Sequence, residues 1–299
     1  MYSAFSKLVC KKPTLFPIFF DTSLRDGIQA AKKCDYTLSK KIDIFQKIVD
    51  EYNPQSLEIG SMVSPKIMPI MEDTLEFHKE IGSILQSSPV KPMNPDIYIV
   101  VPNSNTLATA MDHGVQHYSF LTSVSEYFQY RNMRKTIKQT KDDFAKSMEM
   151  IKNPNSKKKL YISCINQCPI AGRIDNDWII HELLDYHKKF AFDEFCLSDT
   201  CGTVTYDDFE YIVDSITYFG LQSSKISVHL HVSPKNTENI KQILKYCFRN
   251  KINRFDVSVL NTGGCSVTMR KEDLCPNMTY EMVYDIFVKY IEYNNENGK

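Results

Sequence analysis

The chain has 299 residues, 42% of them hydrophobic and 24% charged, and its 36 Lys and Arg balance 36 Asp and Glu to a formal net charge of zero. That balance excludes a nucleic-acid binder driven by overall charge, and no apolar run approaches the ~18 residues of a membrane-spanning helix. Nine cysteines, an odd number scattered along a long chain without a secretory signal, read as reduced thiols of a cytoplasmic protein. Residues 1–15 read as an N-terminal extension; with a first strand starting near Phe16, they leave little to cleave as a mitochondrial transit peptide.

From there onward, short β-branched or aromatic runs alternate with longer helical patterns. The runs are Pro17–Asp21, Ser56–Gly60, Asp96–Val101, His117–Leu121, Leu160–Cys164, Asp193–Ser198, Lys225–His231 and Arg254–Leu260. Eight strands recurring about every 34 residues predict a single α/β domain over residues 16–299, a (β/α)8 TIM barrel. Between them, apolar residues three and four apart, such as Ile42, Phe45, Ile48 and Val49, or Ile240, Ile243, Leu244 and Cys247, predict amphipathic helices. Ser233-Pro234 reads as the cap and first residue of a helix. Lys157, Lys158 and Lys159 precede the fifth strand on the face opposite the expected site and read as a solvated run.

Reacting groups of such a barrel sit at the C-terminal strand ends and in the loops that follow, and three polar clusters do so here. After strand one, Arg25, Asp26 and Gly27 allow a tight turn to present a cation and a carboxylate to one small volume. At the end of strand seven, His229 and His231 are two residues apart and therefore face the same way, with Leu230 directed outward. Two imidazoles with one carboxylate make a facial metal site with open positions for substrate oxygens. After strand eight, Gly263 and Gly264 give a loop able to carry Cys265 over the barrel mouth.

These residues carry a resemblance. Arg25 to Gln29 is similar to the RDGxQ signature of the DRE-type TIM-barrel metallolyases, and within them the chain most resembles the 3-hydroxy-3-methylglutaryl-CoA lyases. Ser61–Lys66 is similar to their SFVSPK loop, and Pro69 and Met71 are also in place. Ser125, Glu126 and Asn132 match the SE and N positions, while Tyr161–Cys164 leading to Cys168, Pro169 and Gly172 matches YVSCxxxCPxxG. Ser198–Gly202 resembles the DTxG turn, and Gly263–Cys265 the GGC loop.

The resemblance implies an acyl-CoA substrate cleaved by retro-Claisen chemistry. It implies that Asp26, His229 and His231 bind a divalent cation, Mg2+ or Mn2+, and that Arg25 stabilises the enolate oxygen of departing acetyl-CoA. Glu58 would hold Arg25, Asp199 would assist proton transfer, and Cys265 would act as a lid acid. Gln29, Lys66 and Arg134 are expected to contact substrate, with Arg131, Lys135 and Arg173 as further cations for the CoA tail. The family pattern is broken at Val232, Lys235 and Ser266, and Asn277 lies farther from Cys265 than the pattern has it, so the fourth metal ligand is expected to be Asn277 or water. A related aldolase or Claisen condensing enzyme, acting on another acyl-CoA or a 2-keto acid, is the alternative reading, as is a weakened family member. A homodimer is expected; nucleic-acid and membrane partners are not.

Overall fold

A computed structural model describes residues 16–87, 94–264 and 267–296. Eight parallel strands close into a barrel: β1 (Ile18–Asp21), β2 (Ser56–Ser61), β3 (Asp96–Val100), β4 (His117–Ser123), β5 (Lys158–Ser163), β8 (Glu194–Asp199), β9 (Ile226–Leu230) and β10 (Arg254–Val257), which pairs back with β1. Two further short strands, β6 (Gln167–Cys168) and β7 (Gly172–Arg173), form an antiparallel hairpin in the loop after β5. The expected (β/α)8 barrel is thus present, and every strand candidate falls on a barrel strand.

The surrounding helices are α1 (Leu38–Glu51), α2 (Thr74–Ser87), α3 (Ser104–Asp112), α4 (Glu126–Met133), α5 (Ile137–Met150), α6 (Asn176–Lys189), α7 (Tyr206–Tyr218), α8 (Thr237–Arg249) and α9 (Tyr280–Glu296). Their apolar faces pack on the barrel's outside. Phe45 and Ile48 of α1 and Ile243 and Leu244 of α8 are at most 1% exposed, and each such side chain stabilises the fold by roughly 1.5–3 kcal/mol. No helix among the described residues is long and apolar enough to cross a membrane. Among the described cysteines, Cys34, Cys164, Cys168, Cys196, Cys247 and Cys275 are free.

Three local expectations are corrected. Helix α8 starts at Thr237 and not at Ser233-Pro234, because Asn236 is occupied in holding the preceding turn: its Nδ2 donates to the carbonyls of Gly202 and His231, each at 2.8 Å, and its Oδ1 accepts from Ser233 N. β10 ends at Val257, short of Leu260, because Ser258 N turns to the carbonyl of Met278 at 2.8 Å. The lysine run is not solvated throughout: β5 begins at Lys158, and Lys159 points into the barrel, fully buried, where it pairs with Asp256 and, at 2.8 Å, with Glu194.

Candidate active site

A single helical turn of the wide, π type, Ser23–Gly27, follows β1 and sets Arg25 and Asp26 side by side at the C-terminal mouth. Gly27 permits the close approach of the strand-ten end: a Cβ there would meet Ser258 Oγ at 3.1 Å. Across the mouth, His229 at the end of β9 and His231 just beyond it both project inward, as a two-residue strand spacing requires, while Leu230 joins the outer core. Nε2 of His229 lies 4.0 Å and Nε2 of His231 3.8 Å from Asp26 Oδ2. These three buried side chains are a group able to hold a metal ion, their ligand atoms lying within 4.8 Å of one another.

The imidazoles are held from behind. His231 Nδ1 donates to the carbonyl of Asp199 at 2.8 Å, which leaves its Nε2 directed at the cup, buried and without a hydrogen-bond partner. His229 Nδ1 lies 3.2 Å from Asp256 Oδ2. Burial alone would raise the pKa of Asp26, but the Arg25 guanidinium and the two imidazoles hold it well below the ordinary carboxylate range. Burial would lower the pKa of His231, and the neighbouring Asp26 carboxylate more than reverses this. A pre-ionised carboxylate, two imidazoles and an orphaned buried nitrogen fit a divalent cation.

Asn277 enters the same cup. Beyond Val228, β9 and β10 no longer pair, and residues 276–278 fill the opening: Val232 N bonds Pro276 O, Met278 N bonds Leu230 O, and Asn277 bridges to His231. Asn277 Nδ2 donates to Asp26 Oδ2 at 2.8 Å, and its Oδ1 is buried without a partner. Gly263 makes room for it, since a Cβ there would stand 2.6 Å from Asn277 Nδ2 and its φ of +155° suits glycine.

Arg25 is fixed on three sides. Its Nε binds Glu58 Oε2, its Nη1 donates to Asp26 Oδ1 at 2.8 Å, and its guanidinium lies 5.1 Å from the ring centre of Tyr161. Tyr161, without an expected role, also directs its hydroxyl to Glu58 at 3.3 Å. Gln29 donates to Asp26 and to the carbonyl of Gly264, tying the loop after β10 to the cup.

Above these groups opens a cavity of about 410 Å³. Arg25, Asp26, Gln29, Tyr161, His229 and His231 form its charged end, and Met62, Val63, Val100, Leu121 and Phe128 its apolar wall. Arg134 and Lys135 line it, Arg134 in a left-handed conformation that ends α4, and Lys135 paired to Asp143 at 3.1 Å. Lys66 and Arg131 are exposed and outside the lining. Arg173 is spent on Asp208, at 2.6 Å. Asp199 is also turned away from the cavity: its carboxylate accepts from the backbone of Thr203 and Val204, at 3.1 and 2.9 Å, and only its carbonyl reaches His231. Cys265 lies outside the described residues.

The chain is similar to known proteins in sequence and in fold. The chain is 26% identical over 252 residues to the 3-hydroxy-3-isohexenylglutaryl-CoA/hydroxy-methylglutaryl-CoA lyase of Pseudomonas aeruginosa, covering 81% of this chain and 75% of that one. It is 23% identical over 263 residues to the mitochondrial hydroxymethylglutaryl-CoA lyase of Arabidopsis thaliana, covering 88% of this chain and 53% of the relative's length. Its fold is similar to the crystal structure of hydroxymethylglutaryl-CoA lyase from Pseudomonas aeruginosa, with a TM-score of 0.76 at 22% identity over 92% of this chain and 85% of that one. It is similar also to an HMG-CoA lyase from Acinetobacter baumannii in complex with coenzyme A and 3-methylmalate, with a TM-score of 0.75 at 20% identity over 95% of this chain and 85% of that one. The HMGL-like family model matches residues 17–234, a span from β1 through both histidines, and the chain is an enzyme of the HMGL-like family.

Proposed function

We propose that the protein is a divalent-cation-dependent lyase that cleaves 3-hydroxy-3-methylglutaryl-CoA into acetyl-CoA and acetoacetate. The observation that carries this reading is the pairing of two devices in one cavity: the cup of Asp26, His229 and His231, and beside it a guanidinium held by Glu58. Retro-Claisen cleavage releases the proton of a tertiary hydroxyl to solvent, breaks the adjacent carbon-carbon bond and leaves charge on a thioester enolate, which takes one proton at carbon, so that protons balance over the turnover. The cation, Mg2+ or Mn2+, supplies Lewis acidity toward the hydroxyl and carbonyl oxygens of the substrate.

The chain's own residues divide the remaining work. Asp26, His229 and His231, with Asn277 as a fourth donor, hold the cation. Arg25 offsets the enolate charge without reorganising, since Glu58 and Tyr161 already fix its plane. Arg134 and Lys135 attract the anionic CoA tail at the cavity wall. Cys265, following Gly264 directly in the chain, delivers the proton to the enolate carbon. Two relatives support the substrate: the Pseudomonas and Arabidopsis proteins are both named as hydroxymethylglutaryl-CoA lyases.

The test is incubation of the purified protein and Mg2+ or Mn2+ with 3-hydroxy-3-methylglutaryl-CoA, and in parallel with acetyl-CoA plus a panel of 2-keto acids. Acetoacetate from the first mixture supports the proposal. Condensation products from the second alone would reject it in favour of a Claisen condensing enzyme.

A further inference from the structure

Barrels of this kind are usually filled by branched apolar side chains, yet the floor beneath this cup is charged. Lys159 of β5 and Asp256 of β10, both at most 1% exposed, form an ion pair inside the barrel. Lys159 Nζ also meets Glu194 Oε1 at 2.8 Å and lies 3.6 Å from the ring centre of Phe20. Taking two charges out of water costs free energy that an apolar pair of like volume would not, so a contribution to stability does not account for this pair. The division of the Asp256 oxygens does: Oδ1 takes Lys159, and Oδ2 lies 3.2 Å from His229 Nδ1.

We propose that Lys159 and Asp256 are positioning residues of the metal site: Lys159 anchors one carboxylate oxygen of Asp256, and the other keeps the His229 N–H on Nδ1. Nε2 of His229 then presents its lone pair to the space shared with Asp26 and His231. The two histidines differ in this respect. His231 takes its tautomer from a backbone carbonyl, that of Asp199, whereas His229 takes its own from a side chain whose orientation depends on a second side chain. The inference rests on the metal-site reading above and is independent of the substrate.

Mn2+ titrated into the metal-free whole protein, with the free ion followed by electron paramagnetic resonance, tests it. In Asp256→Asn the amide oxygen remains with the Lys159 ammonium and the NH2 turns to Nδ1, which must accept, so the imidazole N–H moves to Nε2. Mn2+ affinity is expected to fall about 10- to 100-fold. Glu194→Gln, which alters the other partner of Lys159 and leaves the Asp256–His229 contact in place, should stay within about twofold of wild type. Lys159→Met should weaken binding and Lys159→Arg restore most of it, a rescue that mere packing would not produce, since Met also packs. If these variants do not fold, 15N resonances of the wild-type protein decide: neutral His229 should carry its proton on Nδ1. Wild-type Mn2+ affinity in folded Asp256→Asn, or a His229 protonated on Nε2, would overturn the inference alone. Wild-type protein that takes up no Mn2+ would overturn the metal site with it.

Discussion

Arg25 and Glu58 form an ion pair closed off from solvent, with side chains 9% and 0% exposed, at the bottom of an open cavity. A guanidinium bound this way offers its remaining donors in one plane, which suits a planar enolate oxygen better than a mobile cation would. Arg25→Met is therefore expected to lower turnover about 10²–10³-fold or more, ~3–4 kcal/mol in the barrier. Arg25→Lys should recover little, because an ammonium cannot reach Glu58 and Asp26 in the same geometry. Steady-state rates at saturating cation check this, and a variant within tenfold of wild type would remove Arg25 from the chemistry.

His231 contributes a buried nitrogen that no other group satisfies. His231→Ala should weaken Mn2+ binding by at least about tenfold, read by calorimetric titration on the folded variant. Unchanged affinity would dissolve the cup as a metal site.

Much of this site is visible in the sequence because it depends on local geometry. Two histidines two apart in a strand share a direction, and Arg25-Asp26-Gly27 turns on itself within five residues. What the sequence hides depends on distant partners. Lys159 looks like part of a solvated run until Asp256, 97 residues away, neutralises it inside the barrel. Asn277 looks too far from the glycine loop until the separation of β9 and β10 admits residues 276–278 between them. Asp199 lies at a strand end like a reacting carboxylate, but the N–H groups of Thr203 and Val204 capture it for the turn. Lys66 shares a loop with cavity-lining Ser64 and Ile67 yet remains exposed outside the lining.

The cavity wall supplies cations in a chain whose net charge is zero, so attraction for an anionic coenzyme tail is local. Arg134→Ala should weaken CoA binding about two- to fivefold at low salt, and Lys135→Ala less, since Asp143 already offsets part of its charge. Wild-type affinity should itself decline with added salt. Equilibrium dialysis against CoA at two ionic strengths measures both effects, and insensitivity to salt and to both substitutions would place the coenzyme elsewhere.

Asp21, beneath the Arg25 turn, is raised to about 6, chiefly by burial, against hydrogen bonds from Tyr280 at 2.8 Å and from Ser23 at 2.9 Å that favour the anion. Its folded form holds a proton more tightly than the unfolded chain does. Its contribution to stability is therefore full below about pH 4 and is lost as pH rises through about 6. Carboxyl 13C shifts should show a midpoint near the value of about 6, and Tyr280→Phe should move it higher. A midpoint in the ordinary range near 4 would contradict the burial argument.

Cys265→Ser should preserve metal binding and folding but lose most turnover, because a hydroxyl is a far weaker acid than a thiol of pKa ~8.5. Rates measured beside Arg25→Met separate the two roles. A serine variant with wild-type turnover would reassign the proton donor while leaving the cup and Arg25 unaffected.

The most direct test of the account is product formation from 3-hydroxy-3-methylglutaryl-CoA by protein stripped with a chelator and then given back Mg2+ or Mn2+. Acetyl-CoA and acetoacetate should appear in equal amounts once the cation is restored and should be absent before it. Equal cleavage with and without the cation, or none after its return, would contradict the assignment of Asp26, His229 and His231 to a metal-dependent lyase.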